Sequence, residues 1–290
     1  MADDAHNFQN PKSAFEIQKK VYCIFGDERV FNSKSPEMFS AVFKQVGLRC
    51  VYVPFMSRPE KIADAVASIR ALNIAGVNVT VPHKESVIPH IDILSEGAKI
   101  IGAVNTIAWD GEALKGYNTN AIGFMDTLEE IGWEVPGKRA LVFGSGGAAR
   151  AVVFILNWLR AEAVYIAARN EVRAMDMAER LGGEAVAFED VSAGPVDVDL
   201  IINATSVSAE DESPEFAALV SGLKLEGCDL LLDLNYGRDV NIWEQKASAN
   251  GVRFMDGLRP LAYQARRTFA LWTGVQVEPN EFLMALEVGR

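Results

Sequence analysis

Short unbroken apolar runs alternate along this chain with longer stretches whose apolar residues recur every three or four positions. The first kind reads as buried strand and the second as amphipathic helix. Val21-Tyr22-Cys23-Ile24-Phe25 is a strand that stops at Gly26-Asp27, and Val51-Tyr52-Val53-Pro54-Phe55 is a second. Between them, Met38, Val42, Phe43 and Val46 share one face of a predicted helix, and Ile62, Ala65, Val66 and Ile69 mark another over 61–72. A third strand is predicted over 74–81, short helical segments over 86–93 and 95–101, and a strand over 103–109 that turns at Asp110-Gly111. A helix over 121–131 leads to a boundary at Pro136-Gly137-Lys138. Beyond it lie apolar runs at 140–143, 163–167, 199–206, 230–236 and 252–254, the first followed by a helix to Leu159. A long helix over 258–272 and a short one over 282–288 finish the chain, and the polar, acidic residues 1–14 read as a mobile tail. Strands interleaved with helices define an α/β protein, and 290 residues make one large domain or two ordinary ones.

Composition narrows the partners. Hydrophobic residues are 49% of the chain, enough for a sizeable core, and the net charge of −11 argues against nucleic acid or an anionic membrane as the main partner. An anionic substrate must therefore meet a local basic or N–H-rich pocket. No apolar run approaches the length of a membrane span. Cys23, Cys50 and Cys228 match no zinc spacing, and three cysteines with no signal peptide read as reduced thiols of a cytoplasmic protein. His6, His83 and His90 are too scattered to make a metal site, so no metal is expected.

Three stretches carry candidate chemistry. Pro82 has no N–H for a sheet ladder, so the third strand stops there and leaves Lys84 at its carboxyl end, where α/β sheets place ligands. A lysine there can transfer a proton when burial or charge sets its pKa; the plain alternative is a solvated loop lysine. Ser35 is placed to cap the next helix with Pro36 at its first position, and together with Ser33 it can also grip a carboxylate at that helix start. Residues 144–149 read G-x-G-x-x-A between a strand and a helix, a dinucleotide-binding turn. Gly144 permits the turn, Gly146 admits a pyrophosphate and Ala149 allows close helix packing. The next strand ends at Ala168-Arg169-Asn170 with Arg173 close behind, where an acidic residue would select a free ribose hydroxyl. Arg169 and Arg173 form a basic clasp suited to a 2′-phosphate, so the expected cofactor is NADP.

Taken in order, several stretches resemble the shikimate dehydrogenase family, over residues 18–275. They are Ser33-Lys34-Ser35-Pro36, Asn78-Val79-Thr80-Val81-Pro82-His83-Lys84, Ala103-Val104-Asn105-Thr106, Gly116-Tyr117-Asn118-Thr119 and the glycine turn. Asn203-Ala204-Thr205-Ser206, Asp256-Gly257-Leu258, Gln264 and Trp272-Thr273-Gly274 complete the set. The resemblance implies NADP-linked interconversion of 3-dehydroshikimate and shikimate, or a related ring acid, in aromatic amino-acid biosynthesis. It implies a substrate domain of 15–121 plus 258–290 and a Rossmann domain of 122–257, with the C-terminal helix returning to the first and the active site between them. Lys84 would be the catalytic lysine. Ser33 and Ser35 would bind the substrate carboxylate, with Tyr236 nearby, and Thr80, Asn105 and Gln264 its hydroxyls. Cofactor contacts would fall on Gly144, Ser145, Gly146, Gly147 and Ala148, on Arg169, Asn170 and Arg173, and on Thr205 and Gly257. The chain is expected to be a monomer or a homodimer.

The same resemblance exposes departures. Asn120 stands where the family has the aspartate that partners the lysine, and an amide cannot take a proton at neutral pH. Asn32 replaces a histidine, Phe39-Ser40 a His-Asn pair, Arg238 a proline, Asn241 a threonine and Ser208 a glycine. Slow turnover is the expectation from Asn120. The alternative from another class is a cofactor- and metabolite-binding sensor or scaffold with little activity.

Overall fold

The computed structural model describes residues 19–193 and 197–287. The expected tail at 1–14 and the last residue of the expected terminal helix lie outside them. The first half holds β1 (Lys20–Gly26), α1 (Ser35–Gln45), β2 (Cys50–Met56), α2 (Ile62–Ala71), β3 (Gly76–Val79) and α3 (His83–Ser86). It continues with β4 (Ile93–Leu94), α4 (Glu96–Ile101), β5 (Thr106–Asp110), β6 (Ala113–Tyr117) and α5 (Thr119–Glu130). The second half holds β7 (Arg139–Phe143), α6 (Gly147–Trp158), β8 (Ala163–Ala167), α7 (Glu171–Leu181), β9 (Glu184–Val186), α8 (Asp190–Ala193) and β10 (Leu200–Asn203). After it come α9 (Pro214–Gly222), β11 (Leu230–Asp233), α10 (Ile242–Ala249), β12 (Arg253–Met255), α11 (Leu258–Thr273) and α12 (Pro279–Glu287).

The strands form two six-stranded sheets. The second is ordered β12-β11-β10-β7-β8-β9 and every pair in it is parallel. That is the doubly wound order, with the chain reversing direction between β7 and β10. Both faces are covered, which is why these strands read as continuous apolar runs. Ala140 and Val142 face one core with α5 and α6, while Leu141 and Phe143 face the other with α9 and α10. The first sheet is mixed, ordered β2-β1-β3-β5-β6-β4, with β3–β5 and β5–β6 antiparallel. The expected turn falls at Gly111-Glu112, one residue beyond Asp110-Gly111, with Asp110 closing β5 against Ala113 and Gly111 at φ 64°.

α11 runs back from the second sheet to the first. Phe269 and Trp272 join Tyr22, Phe39, Phe43, Tyr52 and Phe282 in one aromatic cluster, and Trp272 Nε1 donates to Ile107 O at 2.9 Å. Arg267 grips Asp126 of α5 through two bonds of 3.0 and 3.1 Å, so α5 and α11 are held side by side.

Two local expectations are corrected. The helix expected over 86–93 is a single turn at His83–Ser86, followed by a 3₁₀ turn at Ile88–His90 and strand β4. Pro89 explains the break, since it cannot donate to a continuing helix. Ser35 does not cap α1. The helix begins at Ser35 with Lys34 at the cap position, and Ser33 Oγ accepts the Ser35 N–H at 3.2 Å.

Candidate active site

The carboxyl ends of β3, β7, β8, β10 and β11 open onto one cleft of about 990 Å³. Every residue singled out from the sequence for proton transfer, the ring acid or the cofactor lies along it. Lys84 is half-buried on the first-sheet side. Burial lowers its pKa to about 8, because an ammonium loses hydration there. Opposite it is the glycine loop. A Cβ on Gly147 would stand 3.0 Å from Lys84 Cβ and 3.1 Å from Ala103 Cβ, so only glycine lets the two halves meet this closely.

Beside Lys84 stands a wall of buried amides and hydroxyls. Asn105 Nδ2 is shared among Asn120 Oδ1 at 2.9 Å, Thr119 Oγ1 at 2.9 Å and Gln264 Oε1 at 3.1 Å. Its Oδ1 accepts the Thr119 N–H at 2.7 Å. Behind these, Thr106, Thr119 and Thr268 hydroxyls lie 3.0–3.1 Å apart, Asn78 Nδ2 donates to Thr106 Oγ1, and Tyr52 donates to Asn78 Oδ1 at 2.8 Å. These side chains hold one another in place, which favours oriented recognition of hydroxyl groups. Thr80 sits half-buried at the exit of β3, its N–H bonded to Phe25 O.

Also lining the cleft, Ser33, Ser35 and Tyr236 converge. Burial raises the Tyr236 pKa, against the opposing pull of the Lys34 backbone and the Ser33 hydroxyl, which places the phenol over the serine loop. Ser35 is buried beside the Tyr52 phenol. Tyr236 belongs to the loop after β11, so the serines and the phenol come from different sheets.

The glycine turn fits a dinucleotide. Gly144 has φ 115°, and a Cβ there would meet Ala204 O at 2.9 Å. Gly146 caps α6, and nothing stands within 4 Å of where its Cβ would be, so a phosphate can approach the backbone N–H groups of Gly147 and Ala148. Arg169 is exposed at the end of β8 with no acidic residue in the place expected for one. Asn170 caps α7 by accepting the Arg173 N–H at 3.0 Å. Arg173 is not free: its Nη2 holds Glu85 Oε1 at 2.5 Å and Ser145 O at 3.3 Å. Thr205 Oγ1 donates to Asn203 Oδ1 at 2.7 Å, and Gly257 N donates to Asn235 O at 2.9 Å, and both residues line the cleft.

From the sequence, Asn78, Thr106 and Thr119 stand out only as parts of motifs, with no role at the site, and Thr268 and Glu85 do not stand out. An asparagine inside the apolar run Val77-Asn78-Val79 was a usable signal, because a buried amide demands partners.

Two family models match: the shikimate dehydrogenase substrate binding domain over residues 24–107, and shikimate/quinate 5-dehydrogenase over 127–259. The chain belongs to the shikimate dehydrogenase family. A shikimate dehydrogenase (NADP(+)) of Desulforamulus reducens is 39% identical over 261 residues, 84% of this chain and 87% of the relative. The shikimate dehydrogenase of Aquifex aeolicus has the same fold, with TM-score 0.82, 33% identity and coverage of 93% of this chain and 98% of that one. The enzyme of Thermus thermophilus, solved in complex with NADP(H) and shikimate, follows at TM-score 0.80 and 34% identity, covering 93% and 100%.

Three of the residues that the resemblance marks as departures make hydrogen bonds after β10 and β11. Asn241 Nδ2 donates to the buried Asp233 at 2.7 Å, and Ser208 Oγ accepts from Asn235 Nδ2 at 2.9 Å and from Asn203 Nδ2 at 3.3 Å. Arg238 pairs with Glu212 through two nitrogens and donates to Tyr236 O at 2.9 Å, so it braces the tyrosine's loop where a proline would stiffen it. Nothing in the structure explains Asn32 or the Phe39-Ser40 pair as substitutes, although Phe39 packs in the aromatic cluster.

Proposed function

We propose that this member of the shikimate dehydrogenase family is an NADP-dependent oxidoreductase interconverting shikimate and 3-dehydroshikimate, or a closely related hydroxylated ring acid. One observation carries the reading. Lys84 stands half-buried, and unpaired among the described residues, against Gly147, where the glycine loop of one sheet meets the amide wall of the other. The names of the relatives support the cofactor and the substrate class.

The bound cofactor supplies the hydride acceptor, or the donor in reverse. Ser33, Ser35 and Tyr236 hold the ring carboxylate, which lies beside the start of α1 where N–H groups favour an anion. Asn105, Gln264 and Thr80 fix the hydroxyls. Oxidation of the ring alcohol removes one hydride and one proton, and neutral Lys84 takes the proton from the reacting hydroxyl. In the reducing direction the ammonium returns it to the nascent alkoxide. A pKa of about 8 keeps both forms populated near neutrality, as proton transfer requires. Asn120 orients the hydroxyl and cannot share the proton, so turnover is slower than a carboxylate partner would give.

The test is NADP reduction in the presence of shikimate, quinate and other cyclic hydroxy acids, alongside binding titrations. Turnover with one of them supports the reading. Binding without turnover supports the second reading, a metabolite-binding sensor, which Asn120 alone favours.

A further inference from the structure

Glu85 follows Lys84 on the short helix α3 and reaches across to the other sheet's helices. One oxygen holds Arg173 at 2.5 Å, and the other lies 3.7 Å from Arg150 Nε. Arg150 sits on α6 and is only 5% exposed. Its Nη2 bonds Asp176 at 2.8 Å, while Nε and Nη1 have no hydrogen-bond partner among the described residues. A buried guanidinium with two idle donors is costly, and a carboxylate already stands just beyond hydrogen-bond range. Arg173 is therefore engaged by the segment that carries Lys84, although it is also half of the clasp assigned to the 2′-phosphate. The inference rests on that assignment.

We propose that Glu85 competes with the cofactor's 2′-phosphate for Arg173 and so sets the strength of the preference for NADP over NAD. A phosphate monoester carries more charge than one carboxylate and more acceptor oxygens, so it displaces Glu85. The displaced carboxylate has a destination in Arg150, whose idle nitrogens it needs only a small shift to meet. NAD lacks the phosphate and leaves the Glu85–Arg173 pair intact. Cofactor identity is thereby felt by the residue next to Lys84.

The test is calorimetric affinity of the whole chain for NADP, NAD and adenosine 2′,5′-bisphosphate, which presents the phosphate without the nicotinamide. The proteins are the unaltered chain, Glu85→Gln, Arg173→Ala and the double variant. Glu85→Gln is expected to tighten NADP and the bisphosphate by about two- to five-fold, the worth of an ion pair whose ends are this exposed. NAD affinity stays constant, and in the Arg173→Ala background the effect disappears. Glu85→Asp keeps the charge near Arg150 but shortens its reach to Arg173, so it gives the same sign if Glu85→Gln is unstable. Equal shifts for NADP and NAD, or weaker NADP binding in a folded Glu85→Gln, refute the competition. If Arg173→Ala leaves NADP affinity unchanged, the 2′-phosphate assignment of Arg173 falls first and the proposal with it.

Discussion

Asn120→Asp puts a carboxylate at the place where the resemblance to shikimate dehydrogenases implies one. The substitution is nearly isosteric. Asn120 Oδ1 already accepts from Asn105 Nδ2 at 2.9 Å, and a carboxylate oxygen keeps that bond. What changes is the charge felt by Lys84, whose ammonium burial alone has pulled from 10.5 to about 8. An opposite charge close by raises such a group by about 1–3 units, on the order of 1.4–4 kcal/mol in favour of the ammonium. General acid–base action contributes about 10²–10⁴-fold, and a missing partner forfeits part of it. Asn120→Asp is therefore expected to raise the high-pH limit of kcat for shikimate oxidation, where Lys84 is neutral in both proteins, roughly ten-fold or more, with KM little changed. The ionisation seen in the pH–rate profile should move up from near 8. The assay is kcat and KM for both proteins from about pH 6 to about pH 10. An unchanged or lower kcat at that limit would mean that the site is adapted to another substrate or to binding alone, and the shikimate reading would be given up.

Three further outcomes are expected. NADP binds more tightly than NAD, and Arg169→Ala removes most of the difference. A charge-assisted phosphate contact is worth on the order of 1.5–3 kcal/mol, roughly ten- to a hundred-fold, and equal affinities in the unaltered chain would contradict it. Ser33→Ala weakens shikimate binding and leaves NADP affinity unchanged; normal shikimate affinity would reduce Ser33 to its bond with the Ser35 N–H. Lys84→Met abolishes activity yet raises the melting temperature at neutral pH. The folded pKa of Lys84 is depressed, so the unfolded chain binds the extra proton between about pH 8 and about 10.5. The destabilisation, up to about 3 kcal/mol, is full below that window and vanishes as pH rises through it. A melting-temperature gain from Lys84→Met that persists above pH 10.5 would refute this origin.

Much of the second sheet was legible because both of its faces are buried. The predicted strand at 163–167 coincides with β8, and the glycine turn falls between β7 and α6 as its spacing required. α7 escaped because Val172 and Met175 face solvent while Ala174, Met177 and Leu181 face the core, which blurs the helical period. β4 is two residues long, too short for any alternation to show. At the site, residues were placed by motif, but their partnerships were not. Glu85 and Arg173 are 88 positions apart, and Asn105 and Gln264 are 159 apart; such pairs are created by the meeting of the two sheets and by the return of α11. No local pattern announces them.

If Lys84 performs proton transfer in an NADP-linked oxidation of shikimate or a near relative, as proposed, its removal stops that reaction. The most direct measurement is the rate of NADPH formation with shikimate for the unaltered chain and for Lys84→Ala, each first shown to be folded and to bind NADP. The account predicts measurable NADPH formation by the unaltered chain and a loss of about a hundred-fold or more in Lys84→Ala, with NADP binding retained. Equal rates in the two folded proteins would contradict it.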